Sequence, residues 1–96
     1  MTKDIIIEYL SKHKQEFQEK YGLEAIGLFG SYARDEANKD SDIDIFVKMK
    51  PDLFKMVSLK EKIEKDLKKQ VDIIREHKHI KPFLLKMIQK DIKYVW

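Results

Sequence analysis

The chain has 96 residues, of which 43% are apolar and 39% charged, and 20 basic side chains against 17 acidic ones leave a net charge of +3. That length suits one domain spanning residues 1–96, and the apolar fraction excludes a disordered chain. There is no cysteine, which excludes disulfides, thiolate metal sites and thiol catalysis.

Ile6, Leu10, His13, Phe17 and Tyr21 recur every three to four residues and predict one amphipathic helix ended by Gly22. Leu23 to Phe29 reads as a short apolar strand that breaks at Gly30, and Ser31 to Glu36 as a short helix before a polar turn. Ile43, Ile45 and Val47 then alternate with Asp42, Asp44 and Phe46, which is the period of a strand. Pro51-Asp52 opens a helix with Leu53, Met56, Val57, Ile63 and Leu67 on its buried side. Ser58-Leu59-Lys60-Glu61 has capping-box spacing, so that helix would begin or break there. Val71 to Ile74 predicts a further strand. Pro82 opens a last helix carrying Phe83, Leu84, Met87, Ile88, Ile92 and Val95. The order implies an α/β (α+β) domain, a small mixed sheet of about three strands flanked by helices.

Three acidic residues are placed where a strand does not favour them. Asp42 and Asp44 share a face, where two aspartates repel. A solvated strand edge would tolerate them; a divalent cation between them would explain them, and hard oxygen ligands suit Mg²⁺. Asp72 interrupts the apolar run Val71-Asp72-Ile73-Ile74, which costs free energy unless a lysine or a cation answers it. Upstream, Gly30 after a strand permits a turn with positive φ and close approach of a phosphate. Ser31 adds a hydroxyl, and the residues after it would present free helix N–H groups; an ordinary turn with Ser31 as N-cap is the structural alternative.

Taken together, Gly30-Ser31-Tyr32-Ala33-Arg34, a ten-residue spacer after Ser31 and Ser41-Asp42-Ile43-Asp44-Ile45 resemble the minimal nucleotidyltransferases of the DNA polymerase β superfamily. Asp72 matches the third carboxylate of that family, and Asp35 departs from it by standing where small members usually carry glycine. The resemblance implies the nucleotidyltransferase fold and a mechanism. Asp42, Asp44 and Asp72 would be catalytic and hold two Mg²⁺ ions, with Asp72 helping to deprotonate an attacking hydroxyl. Gly30 and Ser31 would bind the β- and γ-phosphates of ATP, and Arg34 would either neutralise phosphate charge or brace the turn.

Only 24 residues follow Asp72, which leaves little room for an acceptor domain. The resemblance implies that the acceptor is a partner protein: small stand-alone members are antitoxins that move AMP onto a tyrosine of a HEPN-type toxin. Two other readings stand beside it. One is a non-catalytic module that neutralises a partner by binding; the other is a small-molecule nucleotidyltransferase of the aminoglycoside-modifying kind. The absence of a signal-peptide pattern and of any apolar run near the roughly 18–20 residues that span a bilayer predicts a cytoplasmic protein with no membrane partner. The Lys60–Lys69 run interleaves lysines with Glu61, Glu64 and Asp66, which reads as a solvated helix face and argues against nucleic acid. The apolar terminal helices leave room for self-association, and Tyr94 and Trp96 could serve an interface or close the core. His77 and His79 have no further metal-ligating neighbour and read as loop residues.

Overall fold

The computed structural model describes residues 1–96. Thr2 starts the first helix, its hydroxyl accepting the Ile5 N–H at 3.3 Å and so satisfying one of the donors a first turn leaves free. Helices α1 (Lys3–Lys12) and α2 (Lys14–Tyr21) follow in place of the single helix expected from periodicity. The break falls at His13 (φ −96°, ψ 10°). There the ring Nδ1 lies 2.8 Å from the Tyr9 carbonyl oxygen, which also accepts the His13 backbone N–H at 3.2 Å. A side chain inserted into the helical ladder bends it. Gly22 then closes α2 in the left-handed region, at φ 68°.

The remaining elements are β1 (Ala25–Phe29), α3 (Gly30–Ala33), β2 (Ile43–Lys48), α4 (Leu53–Leu67), β3 (Val71–Arg75), α5 (Pro82–Asp91) and β4 (Lys93–Tyr94). They form a four-stranded sheet in the order β3-β2-β1-β4. β1 runs antiparallel to β2 and β4, while β2 and β3 are parallel. A parallel pair needs a crossover, and α4 supplies it. Asp52 caps α4 by accepting the Lys55 N–H at 3.0 Å, so the helix starts at Leu53 and passes Ser58 without interruption.

Alternation gives the sheet two unlike faces. Ile26, Leu28, Ile43, Ile45, Val47 and Val71 point into the main core with Ile6, Leu10 and Phe17 from the first two helices and Leu59 and Ile63 from α4. Phe46 points the other way, into a smaller cluster with Ile80 and Ile88, where Phe29, Ile74 and Ile92 also pack. The thin cover on that second face leaves one end of the sheet open, and the site lies there. α1 is tied to α4 by the Tyr9 hydroxyl, which donates to the Asp66 carboxylate.

Two apolar assignments change. Only Leu59 and Ile63 of α4 are fully buried, whereas Leu53 is 73% and Val57 45% exposed. The stripe through Leu59 and Ile63 takes the core, and Leu53 and Val57 fall to one flank of it beyond the edge of the sheet. The last helix stops at Asp91, and the chain continues as β4, a fourth strand that helical spacing did not reveal. Ile92 packs on the smaller cluster while Val95 and Trp96 pack on the main core, so these residues divide between the two faces as an extended segment does. Trp96 closes that core, donating its indole N–H to the Leu10 carbonyl at 3.2 Å. Gly27 makes the seat for β4: a Cβ there would lie 2.7 Å from Ile92 Cδ1 and 3.2 Å from the Lys93 carbonyl oxygen. Gly27→Ala should therefore lower stability by about 1–3 kcal/mol through overpacking, read from urea unfolding, with the loss of Trp96 fluorescence change marking release of the C-terminal strand.

Candidate active site

The sheet register assembles the site. Phe29 pairs with Asp44 across β1 and β2, and Asp44 pairs with Asp72 across β2 and β3, so the three stand in one lateral row. Asp42 immediately precedes β2, one strand period before Asp44. Side chains two residues apart share a face, so Asp42, Asp44 and Asp72 all rise on the thinly covered side, at the end where β1 turns into α3. The structure thus brings together the carboxylates and the Gly30-Ser31 turn that the sequence singled out.

Gly30 is there for two steric reasons. Its φ is +76°, a conformation that side chains with a Cβ rarely adopt. A Cβ on Gly30 would also overlap the Asp44 carboxylate, lying 3.0 Å from its Cγ. The turn and the carboxylate are therefore in contact through the missing side chain. Ser31 is half-buried and follows at once. The α3 helix is only four residues long, so what it offers an anion is local N–H groups rather than a sizeable dipole.

Electrostatically the site is under like-charge stress. Burial pushes the Asp44 carboxyl up to about 6, the Asp72 and Asp42 charges add to the rise, and Arg34 opposes it. None of the three carboxylates has a lysine or arginine ion-pair partner. Their oxygens are not gathered into a ready three-ligand metal cage, as repulsion between like charges favours. The donor set itself, three unpaired carboxylates on one face, has the hard-oxygen chemistry of Mg²⁺.

Arg34 donates to Asp91 of α5 at 2.6 Å and reaches Glu36 at 3.5 Å. It thereby straps α3 to α5 while staying near enough to influence Asp44. Asp35 has φ 59°, which accounts for glycine being usual at that position in the family it resembles; aspartate tolerates this region better than most residues. Its carboxylate is held by Lys3 at 3.0 Å.

Two clefts meet at Asp72. One, of about 510 Å³, is lined by Phe29, Asp44, Asp72, Ile73 and Ile74 together with Leu53, Met56, Val57, Lys60 and Leu84. The other, of about 560 Å³, is polar and lined by Lys60, Glu64, Lys68, Lys69, Gln70, Val71 and Asp72. Lys60 shares both with Asp72. The helical pattern offered no sign of this role beyond Lys60 falling on the same flank of α4 as Leu53 and Val57. His77 and His79 lie away from both clefts in the loop before α5.

The raised Asp44 pKa has a testable sign. An unfolded aspartate ionises near 3.9, whereas folded Asp44 holds its proton up to about pH 6, so the folded state binds more protons across that window and loses stability as pH rises through it. In the presence of a chelator, Asp44→Asn should stabilise the chain above pH 6 by at most about 1 kcal/mol, since a half-exposed charge is solvent-screened. The advantage should vanish by about pH 4, as measured by denaturant unfolding at both pH values.

The family model of the nucleotidyltransferase domain matches residues 10–95. The protein adenylyltransferase MntA of Thermococcus cleftensis is 37% identical over 97 residues, covering 99% of this chain and 97% of that protein. A solved structure described as a minimal nucleotidyltransferase superposes with a TM-score of 0.78 at 26% identity, covering 97% of this chain and 95% of the other. A structure of the MntA–HpeT toxin–antitoxin pair gives a TM-score of 0.68 at 26% identity over 100% of this chain and 72% of the other. With a turn, a carboxylate row and a sheet order that carry the family's motif at one end of the fold, the chain belongs to the nucleotidyltransferase-domain family, alongside the MntA-type protein adenylyltransferases.

Proposed function

We infer that this chain transfers AMP from ATP to a hydroxyl, a tyrosine hydroxyl in the first instance, of a HEPN-type toxin and so acts as its antitoxin in the cytoplasm. The whole span 1–96 acts as one minimal catalytic unit. The observation that carries the reading is the lateral row that sets Asp44 beside Asp72 with Gly30 pressed against Asp44. A glycine turn at the end of β1, and carboxylates with no protein partner, are placed against each other. Of the relatives named above, one is a protein adenylyltransferase of nearly the same length and another, somewhat longer, was solved as part of a toxin–antitoxin pair, which supports this reading.

Asp42, Asp44 and Asp72 would hold Mg²⁺, which would supply Lewis-acid stabilisation of phosphate charge when bound. The chain's own groups do the rest. Gly30 lets the triphosphate tail come close to the turn, and the Ser31 hydroxyl and neighbouring N–H groups donate to its β- and γ-oxygens. Arg34, anchored on Asp91 at 2.6 Å, keeps α3 in place. Asp72, on the strand at the sheet's edge, accepts the proton of the acceptor hydroxyl. The acceptor oxygen forms a bond to the α-phosphorus, the bond from that phosphorus to the bridging oxygen of the β-phosphate breaks, and pyrophosphate leaves.

With ATP labelled at the α-phosphate, Mg²⁺ and the toxin encoded beside this chain, label should pass to the toxin. Asp42→Asn and Asp72→Asn should each reduce that transfer by at least about a thousandfold while preserving the circular-dichroism spectrum. Chelation of the metal should stop transfer and added Mg²⁺ should restore it. Label passing undiminished with either variant would overturn the assignment of the carboxylates, and toxin neutralised without label would favour the binding-module reading.

A further inference from the structure

The row Phe29–Asp44–Asp72 ends at an open strand edge. β3 pairs only with β2. Ile43 donates its N–H to the Gln70 carbonyl at 2.9 Å and Glu76 donates to the Val47 carbonyl at 2.8 Å. Even-numbered residues from 70 to 76 therefore turn their backbone groups toward β2, and odd-numbered ones turn theirs outward. The outward Val71 N–H is taken by the Glu64 carboxylate at 3.0 Å. The N–H and C=O groups of Ile73 and Arg75 remain, with the Val71 carbonyl, as an unused ladder. Native edges of this kind are normally covered, charged or twisted away.

Asp72, Ile73 and Ile74 of this edge strand line the 510 Å³ cleft. Beside it stand apolar side chains that the core does not need: Leu53 at 73% and Val57 at 45% exposed on α4, and Leu84 at 36% exposed on α5. Lys60 lines the cleft and pairs with no acid of this chain. An open ladder beside an apolar wall describes the recognition of an extended, apolar peptide by strand addition.

We propose that the acceptor protein docks by adding an extended segment to the open edge of β3, placing its acceptor hydroxyl residue next in the row after Asp72. The inference rests on the transferase reading above and names how that reaction selects its target. A strand laid on β3 puts one of its residues directly opposite Asp72, on the same face, with Cβ atoms roughly 4.5–5.5 Å apart. The hydroxyl of that residue then stands beside the carboxylate that takes its proton, with Asp72 between it and Asp44 in the row. A residue one position earlier or later points to the α4 face and cannot react. The edge thus selects acceptor residues by strand register, and only extended segments qualify.

The test uses the intact chain, the toxin encoded beside it and α-labelled ATP. Amide exchange followed by NMR should slow at least tenfold at Ile73 and Arg75 when the toxin binds, while Asp72 and Ile74, already bonded to β2, change little. Ile73→Pro removes one outward donor without touching the bonds to β2 and should raise the KM for the toxin at least tenfold. Leu53→Glu, at an exposed first-turn position where a carboxylate suits the helix, should do the same without disturbing the fold, and ATP binding by the chain alone should be unchanged. Label transfer at the wild-type rate in both variants, with Ile73 and Arg75 still exchanging freely in the complex, would overturn edge docking and leave the transferase reading intact. Absence of any transfer by the wild-type chain would instead sink that reading and this proposal with it. Protection of Ile73 and Arg75 that grows with chain concentration alone would assign the edge to a second copy and likewise overturn the proposal.

Discussion

The contact between Gly30 and the Asp44 carboxylate is the constraint around which the rest of the molecule is arranged. With no Cβ and a φ of +76°, Gly30 lets the chain leave β1 and turn into α3 directly against the carboxylate of the neighbouring strand. Any larger residue would both strain the backbone and displace that carboxylate. The pairing of Phe29 with Asp44 fixes where along β2 this contact occurs, and the parallel pairing of β2 with β3 then decides that Asp72 is the next neighbour. A shift of register by one residue would send Asp44 into the core and expose Ile45.

The cost of this arrangement is electrostatic. Three carboxylates rise from one face without an ion-pair partner, and burial together with their mutual repulsion raises Asp44 to about 6. Arginine is present nearby, yet it is spent on Asp91, whose side chain is only 12% exposed, and so serves to hold α3 against α5. The scaffold supports the site from behind with a dry core of Ile, Leu and Phe side chains on the opposite face of the same strands. The pleat thereby separates two roles: odd-numbered residues of β2 build the core, and on the other face Asp44 joins the carboxylate row while Phe46 packs in the second cluster. Destabilising charge concentrated at one end, with the surplus apolar surface beside it, is the pattern expected where a protein gives up stability for activity.

Much of the site could be read directly from the residues, because its signals are local. Asp42 and Asp44 betray themselves by occupying a strand that does not favour them, Asp72 by breaking an apolar run, and Gly30 by ending a strand before a small hydroxyl residue. The elements that were misread lacked such local marks. The kink at His13 comes from a ring seeking the Tyr9 carbonyl, a contact invisible to periodicity. β4 was hidden because Ile92 and Val95 fit a helical stripe as well as they fit an extended segment, and only the gap over Gly27 chooses between them. Leu53 and Val57 looked like core residues because hydrophobicity marks a preference for burial without saying what will cover it.

By itself, then, the sequence determined the fold class, the glycine turn and which carboxylates would share one face of the sheet, since backbone conformation, strand period and charge repulsion act over a few residues at a time. Tertiary structure alone decided that Arg34 would brace rather than stand free, that Asp35 would turn toward Lys3, that the C-terminus would join the sheet, and that β3 would keep an open edge beside Asp72. Those outcomes depend on partners far apart in the chain, such as Arg34 with Asp91 and Lys3 with Asp35. Their encounters are set by strand order and register, which no short stretch of residues contains.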